Sequence, residues 1–266
     1  MTASEQDLLD AANAAADAAG EVLRKWFRNP PPVEIKDAVS PVVTEADREA
    51  EAVLRDVIRT RFPDHAIVGE ELEAEAGTSG LTWVLDPIDG TIAFLAGKPT
   101  FVTLIGVFEG DRPVLGMIDQ PVVGDRWLAA GSAATLHGGA ACRTAATDLL
   151  ENAVLSTTAL ECFARPDDRA WFEAMSGACR VATYGGDGYA YGLLASGHID
   201  LVIESGLAWH DAAALVRVVE NAGGCLTDFS GQPLRPGCAS YEVLAAANSA
   251  LRDAAITFRR DMFPGA

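Results

Sequence analysis

Leu8, Ala12, Ala16, Ala19, Leu23 and Trp26 recur at steps of three and four residues, which lays one apolar stripe along an opening helix. Asn29-Pro30-Pro31-Pro32 ends it, because proline cannot continue the backbone hydrogen-bond ladder. Thr44-x-x-Asp47 places a capping residue and an N3 acid at the start of a second helix, with Ala50, Val53, Leu54, Val57 and Ile58 as its predicted inner face. Leu81-Thr82-Trp83-Val84-Leu85 reads as a short buried strand that runs straight into Asp86. Residues 101–108 and 113–118, split by Glu109-Gly110-Asp111-Arg112, predict an antiparallel hairpin, and 127–130 and 135–137 continue the meander.

Beyond Asn152 the pattern alternates. Strands at 153–156, 181–183, 199–204, 225–228 and 242–247 interleave with helices at 166–177, 188–196, 211–222 and 249–260. The chain is therefore expected to be α/β, with an antiparallel sheet in the N-terminal half and a mixed, largely parallel sheet in the C-terminal half. A boundary near residue 145 divides an α+β unit, 1–145, from an α/β unit, 146–266.

Composition narrows the field. Among 266 residues the hydrophobic share is 49% and the aromatic share 7%, so the core is aliphatic and the chain is not disordered. Acidic residues outnumber basic ones 38 to 20, a formal charge of -18, which leaves no basic footprint for nucleic acid. No apolar run reaches the roughly 18 residues a bilayer requires, and no basic leader opens the chain, so a cytoplasmic protein is expected. The five cysteines are scattered and never form a Cys-x-x-Cys pair, which suggests small core residues in place of a disulfide framework or a zinc site.

Candidate chemistry concentrates in Asp86-Pro87-Ile88-Asp89-Gly90-Thr91. Two carboxylates three residues apart on a tight turn repel each other, and a hard divalent cation removes that cost. Carboxylates with a backbone carbonyl between them are the oxygen donors Mg²⁺ or Ca²⁺ prefers. The plain alternative is a solvated turn rich in Asp, Pro and Gly. Glu70-Glu71 after a short apolar strand, and Asp211 in Trp209-His210-Asp211 at a helix start, offer further carboxylates. Each also has an ordinary reading, as a solvated charge pair and as an acid facing a helix dipole. His210 has no second histidine at ligand spacing and reads as a local contact.

In combination these segments resemble the inositol monophosphatase superfamily of metal-dependent, lithium-sensitive phosphatases. Asp-Pro-Ile-Asp-Gly-Thr after a strand, Asp211 behind a tryptophan at a helix start, Glu70-Glu71, Ser40-Pro41 and Thr44-x-x-Asp47 stand in the family's order across nearly the whole chain. The resemblance implies an alternating α-β-α-β-α sandwich, commonly a homodimer, acting on a small-molecule phosphate ester with two or three Mg²⁺ per site. It assigns Glu70, Asp86 and the Ile88 carbonyl to one ion, and Asp86, Asp89 and Asp211 to a second. Asp47, Glu70 and Thr91 become the set that orients and deprotonates water, and the N–H groups of Gly90 and Thr91 face the phosphate. Haloacid-dehalogenase-type phosphatases carry acids two residues apart, so the spacing of Asp86 and Asp89 disfavours that class.

Two flanking segments resemble the histidinol-phosphatase branch: Gly116-x-Ile-Asp119-Gln-Pro121, and Tyr184-Gly-Gly-Asp187-Gly-Tyr-Ala-Tyr191 with its continuation to Asp200. Histidinol carries an ammonium and an imidazole, so a carboxylate beside the leaving alcohol favours it over an uncharged polyol. Asp187, with Gly186 next to it, and Glu204 are the candidate substrate contacts. The alternative for Asp187 is a helix cap. Ile92 and the residue inserted between Trp209 and Asp211 depart from the commonest family pattern. Inositol monophosphatase, a 3'-phosphonucleotide phosphatase and a metal-binding scaffold without turnover are the rival readings.

Overall fold

The computed structural model describes residues 3–29, 33–35 and 42–264. The proline run at 30–32 and the Ser40-Pro41 pair lie outside them. Helix α1 (Glu5–Trp26) opens on a capping box in which the Ser4 hydroxyl accepts the Asp7 N–H and the Asp7 carboxylate accepts the Ser4 N–H. Strands β1 (Val33–Ile35) and β2 (Val42–Thr44) pair antiparallel as a small ribbon, and helix α2 (Glu45–Arg61) follows immediately. Next come β3 (Ala66–Gly69), β4 (Leu81–Asp89), the short helix α3 (Thr91–Leu95), and the meander β5 (Val102–Glu109), β6 (Arg112–Gln120), β7 (Asp125–Ala130), β8 (Leu136–His137) and β9 (Ala140–Ala141). The second half contains β10 (Val154–Thr157), α4 (Pro166–Ala178), β11 (Val181–Tyr184), α5 (Asp187–Ala195), β12 (Leu201–Leu207), α6 (Trp209–Asn221), β13 (Cys225–Thr227), β14 (Tyr241–Ala246) and α7 (Ser249–Met262).

Strands β3 to β9 form a seven-stranded sheet in sequence order, antiparallel except for the β3–β4 pair. The second sheet runs β11-β10-β12-β14-β13, parallel on one side of β12 and antiparallel on the other. Strand alternation sorts the side chains into layers. Trp83, Leu85, Ile105 and Val107 face the apolar stripes of α1 and α2, while Val102, Leu104 and Ile118 face α5 and α6. On the second sheet Val202, Val243 and Ala245 face that same helix pair, and Leu201, Ile203 and Leu244 pack on α4 and α7. Helices and sheets thus alternate as α-β-α-β-α, with α5 and α6 forming a middle layer shared by both sheets.

The middle layer sits close to the first sheet because the sheet is stripped of side chains there. A Cβ added to Gly116 would stand 2.2 Å from the Ala214 carbonyl oxygen, and one added to Gly106 would stand 3.2 Å from the Ala214 nitrogen. The backbone of α6 rests directly on β5 and β6.

Several expectations need correction. The inner face of α2 is Ala46, Asp47, Ala50, Glu51, Leu54, Arg55 and Ile58, whereas Val53 and Val57 are only partly buried. Charged residues displace them because bonding partners await at this face. Only Cys179 of the five cysteines is buried; Cys162 and Cys238 are exposed, in a turn and a loop that no layer covers. Helix α6 begins at Trp209, two residues earlier than expected, and α5 begins at Asp187. The β1–β2 ribbon and α3 had no periodic signal, being too short to show one. Among the described residues no helix is long and apolar enough to cross a membrane.

The close approach at Gly116 is testable. Gly116→Ala is expected to destabilise the protein by about 2 to 3 kcal/mol, as overpacking against backbone does. Gly177→Ala, where nothing lies within 4 Å of the added carbon, should stay within about 1 kcal/mol of the parent and not below it. Urea denaturation of the two variants measures both; equal stabilities would contradict the packing described.

Candidate active site

Asp86 and Asp89 both lie on β4, not on a turn beyond it, because the strand runs four residues further than its apolar run. In an unbroken strand two residues three apart point to opposite faces. Here Asp86 pairs with Leu104 and Asp89 with Val102, so three steps on β4 match two on β5. This bulge inserts one residue, and both acids end opposite residues that face the middle layer. Local bonds fix the segment: the Ile88 N–H donates to Asp86 Oδ1 at 3.0 Å, the Thr91 hydroxyl to the Ile88 carbonyl at 3.2 Å, and the Thr103 hydroxyl to the Pro87 carbonyl at 2.8 Å. Gly90, at φ +83°, makes the turn into α3 with a conformation that side chains resist.

Asp211 reaches the same place from α6. Its carboxylate accepts the Ala208 N–H at 2.7 Å, closing the first helical turn, and lies beside that of Asp86. His210 lies 3.3 Å from Asp211, the local contact anticipated for it. Carboxylate oxygens of Asp86, Asp89 and Asp211 all come within 4.8 Å of one another. Burial, and then the charges of Glu70, Asp89, Asp211 and Asp47, hold the Asp86 carboxyl far above the usual carboxylate range. Asp89 is raised likewise, by burial and then by Asp187 and Asp211, against one opposing N–H from Gly188. Among the described residues no lysine or arginine pairs with Asp86 or Asp89. An all-oxygen donor set that repels itself, with Asp86 buried and Asp89 and Asp211 half-buried, fits a hard divalent cation.

A second pair of acids adjoins this cluster. Glu204 comes from β12 of the other sheet and is buried among the middle-layer helices, its Oε1 accepting the Thr158 N–H at 2.8 Å and its Oε2 the Tyr191 hydroxyl at 2.8 Å. Burial pushes its carboxyl up to about 7 despite those bonds. Asp187 opens α5 at φ +45° behind the N-cap Gly186; among the described residues its side chain makes no capping hydrogen bond, the Gly188 N–H going to Asp89 instead, and its own N–H donates to the Thr158 hydroxyl at 3.1 Å. Its carboxyl lies against Gly90, where an added Cβ would stand 2.8 Å from the carboxyl carbon. Burial raises it to about 6. A strained, uncapping acid facing the turn after Asp89 is not explained by helix capping.

The model of the inositol monophosphatase family matches residues 4–261. The chain belongs to the inositol monophosphatase family. It is 41% identical over 252 residues to a chloroplastic bifunctional phosphatase of Arabidopsis thaliana, covering 92% of this chain and 72% of that one. A histidinol-phosphatase of Mycobacterium tuberculosis is 35% identical over 235 residues, covering 86% of this chain and 89% of the other. Among solved structures, an inositol monophosphatase from Zymomonas mobilis superposes with a TM-score of 0.86 at 38% identity, covering 97% and 99% of the two chains. This family member is accordingly a phosphoric monoester hydrolase of the same layered fold.

Asp86, Asp89 and Asp211 meet as one cluster, and the charges of Asp47 and Glu70 act on it. Gly90, Thr91 and the Ile88 carbonyl sit at its edge, and Asp187 and Glu204 flank Asp89. Gly186 precedes α5 as its N-cap, next to Asp187 in the chain, and a Cβ added there would stand 2.7 Å from the Ala190 Cβ. Sequence reasoning passed over Thr158, which lies in no motif, and quoted Tyr191 only as part of the segment around Asp187; both become neighbours of Glu204 only when β10, β12 and α5 assemble. The raised carboxyls give a test: a cation needs them ionised, so binding expels protons and affinity falls as pH drops. Adding Mg²⁺ near neutral pH should therefore release protons, read by calorimetry in buffers of different ionisation enthalpy; identical heats in all buffers would contradict the cluster described.

Proposed function

We propose that the protein is a Mg²⁺-dependent phosphatase that hydrolyses L-histidinol phosphate to L-histidinol and phosphate. The observation that carries this reading is the placement of Asp187 and Glu204 beside Asp89, two acids next to the carboxylate cluster, where the charge of Lys98 offsets the burial of Asp187 only in part. Histidinol offers an ammonium and an imidazole to such acids, whereas inositol offers only hydroxyls. Histidinol-phosphatases from three bacteria among the relatives, at 32 to 35% identity, support the same choice.

Glu70, Asp86 and the Ile88 carbonyl, with Asp86, Asp89 and Asp211, would hold Mg²⁺. Bound there, the ions supply charge neutralisation for the phosphate and a lowered pKa for attacking water. The chain's own residues do the rest. Glu70, Asp47 and Thr91 orient that water and take its proton, since a threonine hydroxyl is a weak base without a carboxylate to accept from it. The N–H groups of Gly90 and Thr91 hold phosphate oxygens. Thr158 and Tyr191 keep the Glu204 carboxylate pointed at the leaving alcohol. The charge of -18 repels the phosphate weakly, because salt screens it beyond about 8 to 10 Å.

The inositol ester is the second reading, supported by the inositol monophosphatases among relatives and solved structures. Phosphate release with Mg²⁺ from L-histidinol phosphate and from inositol 1-phosphate separates the two, with Asp86→Asn as the inactive control. A preference for the histidinol ester is expected; a preference for the inositol ester would overturn the substrate assignment and leave the hydrolase. Asp187→Asn should lower kcat/KM for the histidinol ester by about 10- to 100-fold, the worth of one charged hydrogen bond. The melting temperature should hold, since asparagine tolerates the left-handed backbone. Chelation of Mg²⁺ should weaken binding of the ester as well as stop turnover, which equilibrium dialysis of the ester checks.

A further inference from the structure

Helix α2 carries two buried charged residues, Glu51 and Arg55, that the proposed chemistry leaves unused. Asp47, Glu51 and Arg55 stand four residues apart and share one face, and their exposures are 1%, 0% and 1%. Glu51 and Arg55 form an ion pair of 2.7 Å, yet most of their bonds go to one neighbouring segment. Glu51 accepts the Glu71 N–H at 2.7 Å and the Leu72 N–H at 3.2 Å. Arg55 donates to the Leu72 carbonyl at 2.9 Å, the Glu73 carbonyl at 3.0 Å and the Glu75 carboxylate at 2.6 Å. The pair therefore grips donors and acceptors of the same stretch of backbone.

That stretch begins at Glu70. On its other side, a Cβ added to Gly69 would stand 2.0 Å from Glu51 Oε1, so the carboxylate lies flush against the backbone there. Glu70's own N–H donates to the Leu85 carbonyl at 3.2 Å, one residue before Asp86. Glu70 is thus pinned by Glu51 before and after it and by β4 at its own amide. A buried ion pair is no more stabilising than well-packed apolar residues of similar volume, so stability alone is poorly served by this arrangement. What it does supply is register, because the helix that bears Asp47 also fixes the loop that bears Glu70.

We propose that Glu51 and Arg55 are positioning residues that hold Glu70 in place against Asp47 and Asp86, and through Glu70 set the affinity for the divalent cation and the turnover. This rests on Glu70 serving the site as assigned above. The test is a double-mutant cycle of Glu51→Gln and Glu70→Gln in the full chain, read by calorimetric Mg²⁺ affinity and by kcat and KM on the better of the two esters. Glu51→Gln should lower Mg²⁺ affinity and kcat by about tenfold or more, the usual cost of losing a partner behind a metal ligand, with KM changed little. In the Glu70→Gln background the same substitution should then add nothing, and Arg55→Lys should retain more function than Arg55→Met. A folded Glu51→Gln protein with parental affinity and kcat, or effects that simply add in the double variant, would overturn the proposal alone. Parental affinity and kcat in Glu70→Gln would overturn the reading of Glu70 and this proposal with it. Should Glu51→Gln not fold, the same cycle run with Arg55→Lys decides by the same criteria.

Discussion

Carboxylates gathered where water is scarce are the constraint on which the rest of this structure turns. At the 4.8 Å that bounds the oxygens of Asp86, Asp89 and Asp211, each like-charged pair costs at least about 3 kcal/mol at an effective dielectric near 20. Three such pairs approach the whole stability of a domain, about 5 to 15 kcal/mol. Fully ionised, they would endanger the fold; burial and mutual repulsion raise the Asp86 and Asp89 carboxyls, a repulsion that protons relieve. A cation relieves it without them. The energetic weakness of the site and its fitness for a hard metal are one property.

Such a cluster needs walls that do not yield, and the layered fold provides them. Strand β4 brings two acids on a bulge, α6 brings a third at its first turn, and β12 brings Glu204 from the opposite sheet. The middle layer is held against the first sheet at Gly106 and Gly116, where helix backbone meets strand backbone. Close packing of this kind transmits small displacements, so the apolar interior and the acidic centre are mechanically one unit. The polar face of α2 extends the same logic, since Glu51 and Arg55 bind the segment after Glu70 with charges where the rest of the helix uses alanine and leucine.

The substrate side is built differently. Asp187 occupies a backbone conformation that a non-glycine residue resists, and Glu204 keeps both oxygens in hydrogen bonds yet sits near about 7. Strain at one acid and burial at the other cost stability. Helix capping does not recover these costs, and the charge of Lys98 offsets that of Asp187 only in part, so both acids suit the recognition role proposed for them.

Periodicity settled most of the architecture. Strips of alanine and leucine at three and four residues, continuous apolar runs and Gly- or Pro-bearing turns depend only on neighbours in sequence, and they located all the long helices and both sheets. Local motifs likewise marked Asp86, Asp89, Glu70 and Asp211. Short elements stayed hidden: α3 has five residues and β1 and β2 three each, below any repeat length. What only tertiary structure decided was direction and company. Whether Asp86 and Asp89 share a face depends on a bulge defined by pairing with β5; whether Asp187 caps its helix depends on Gly90, nearly a hundred residues away. Glu51 and Arg55 look like the solvated face of an amphipathic helix until β3 and its loop close over them. A sequence fixes which side chains are available and in what local conformation, whereas the partners that satisfy a buried charge come from distant segments and exist only once the layers have met.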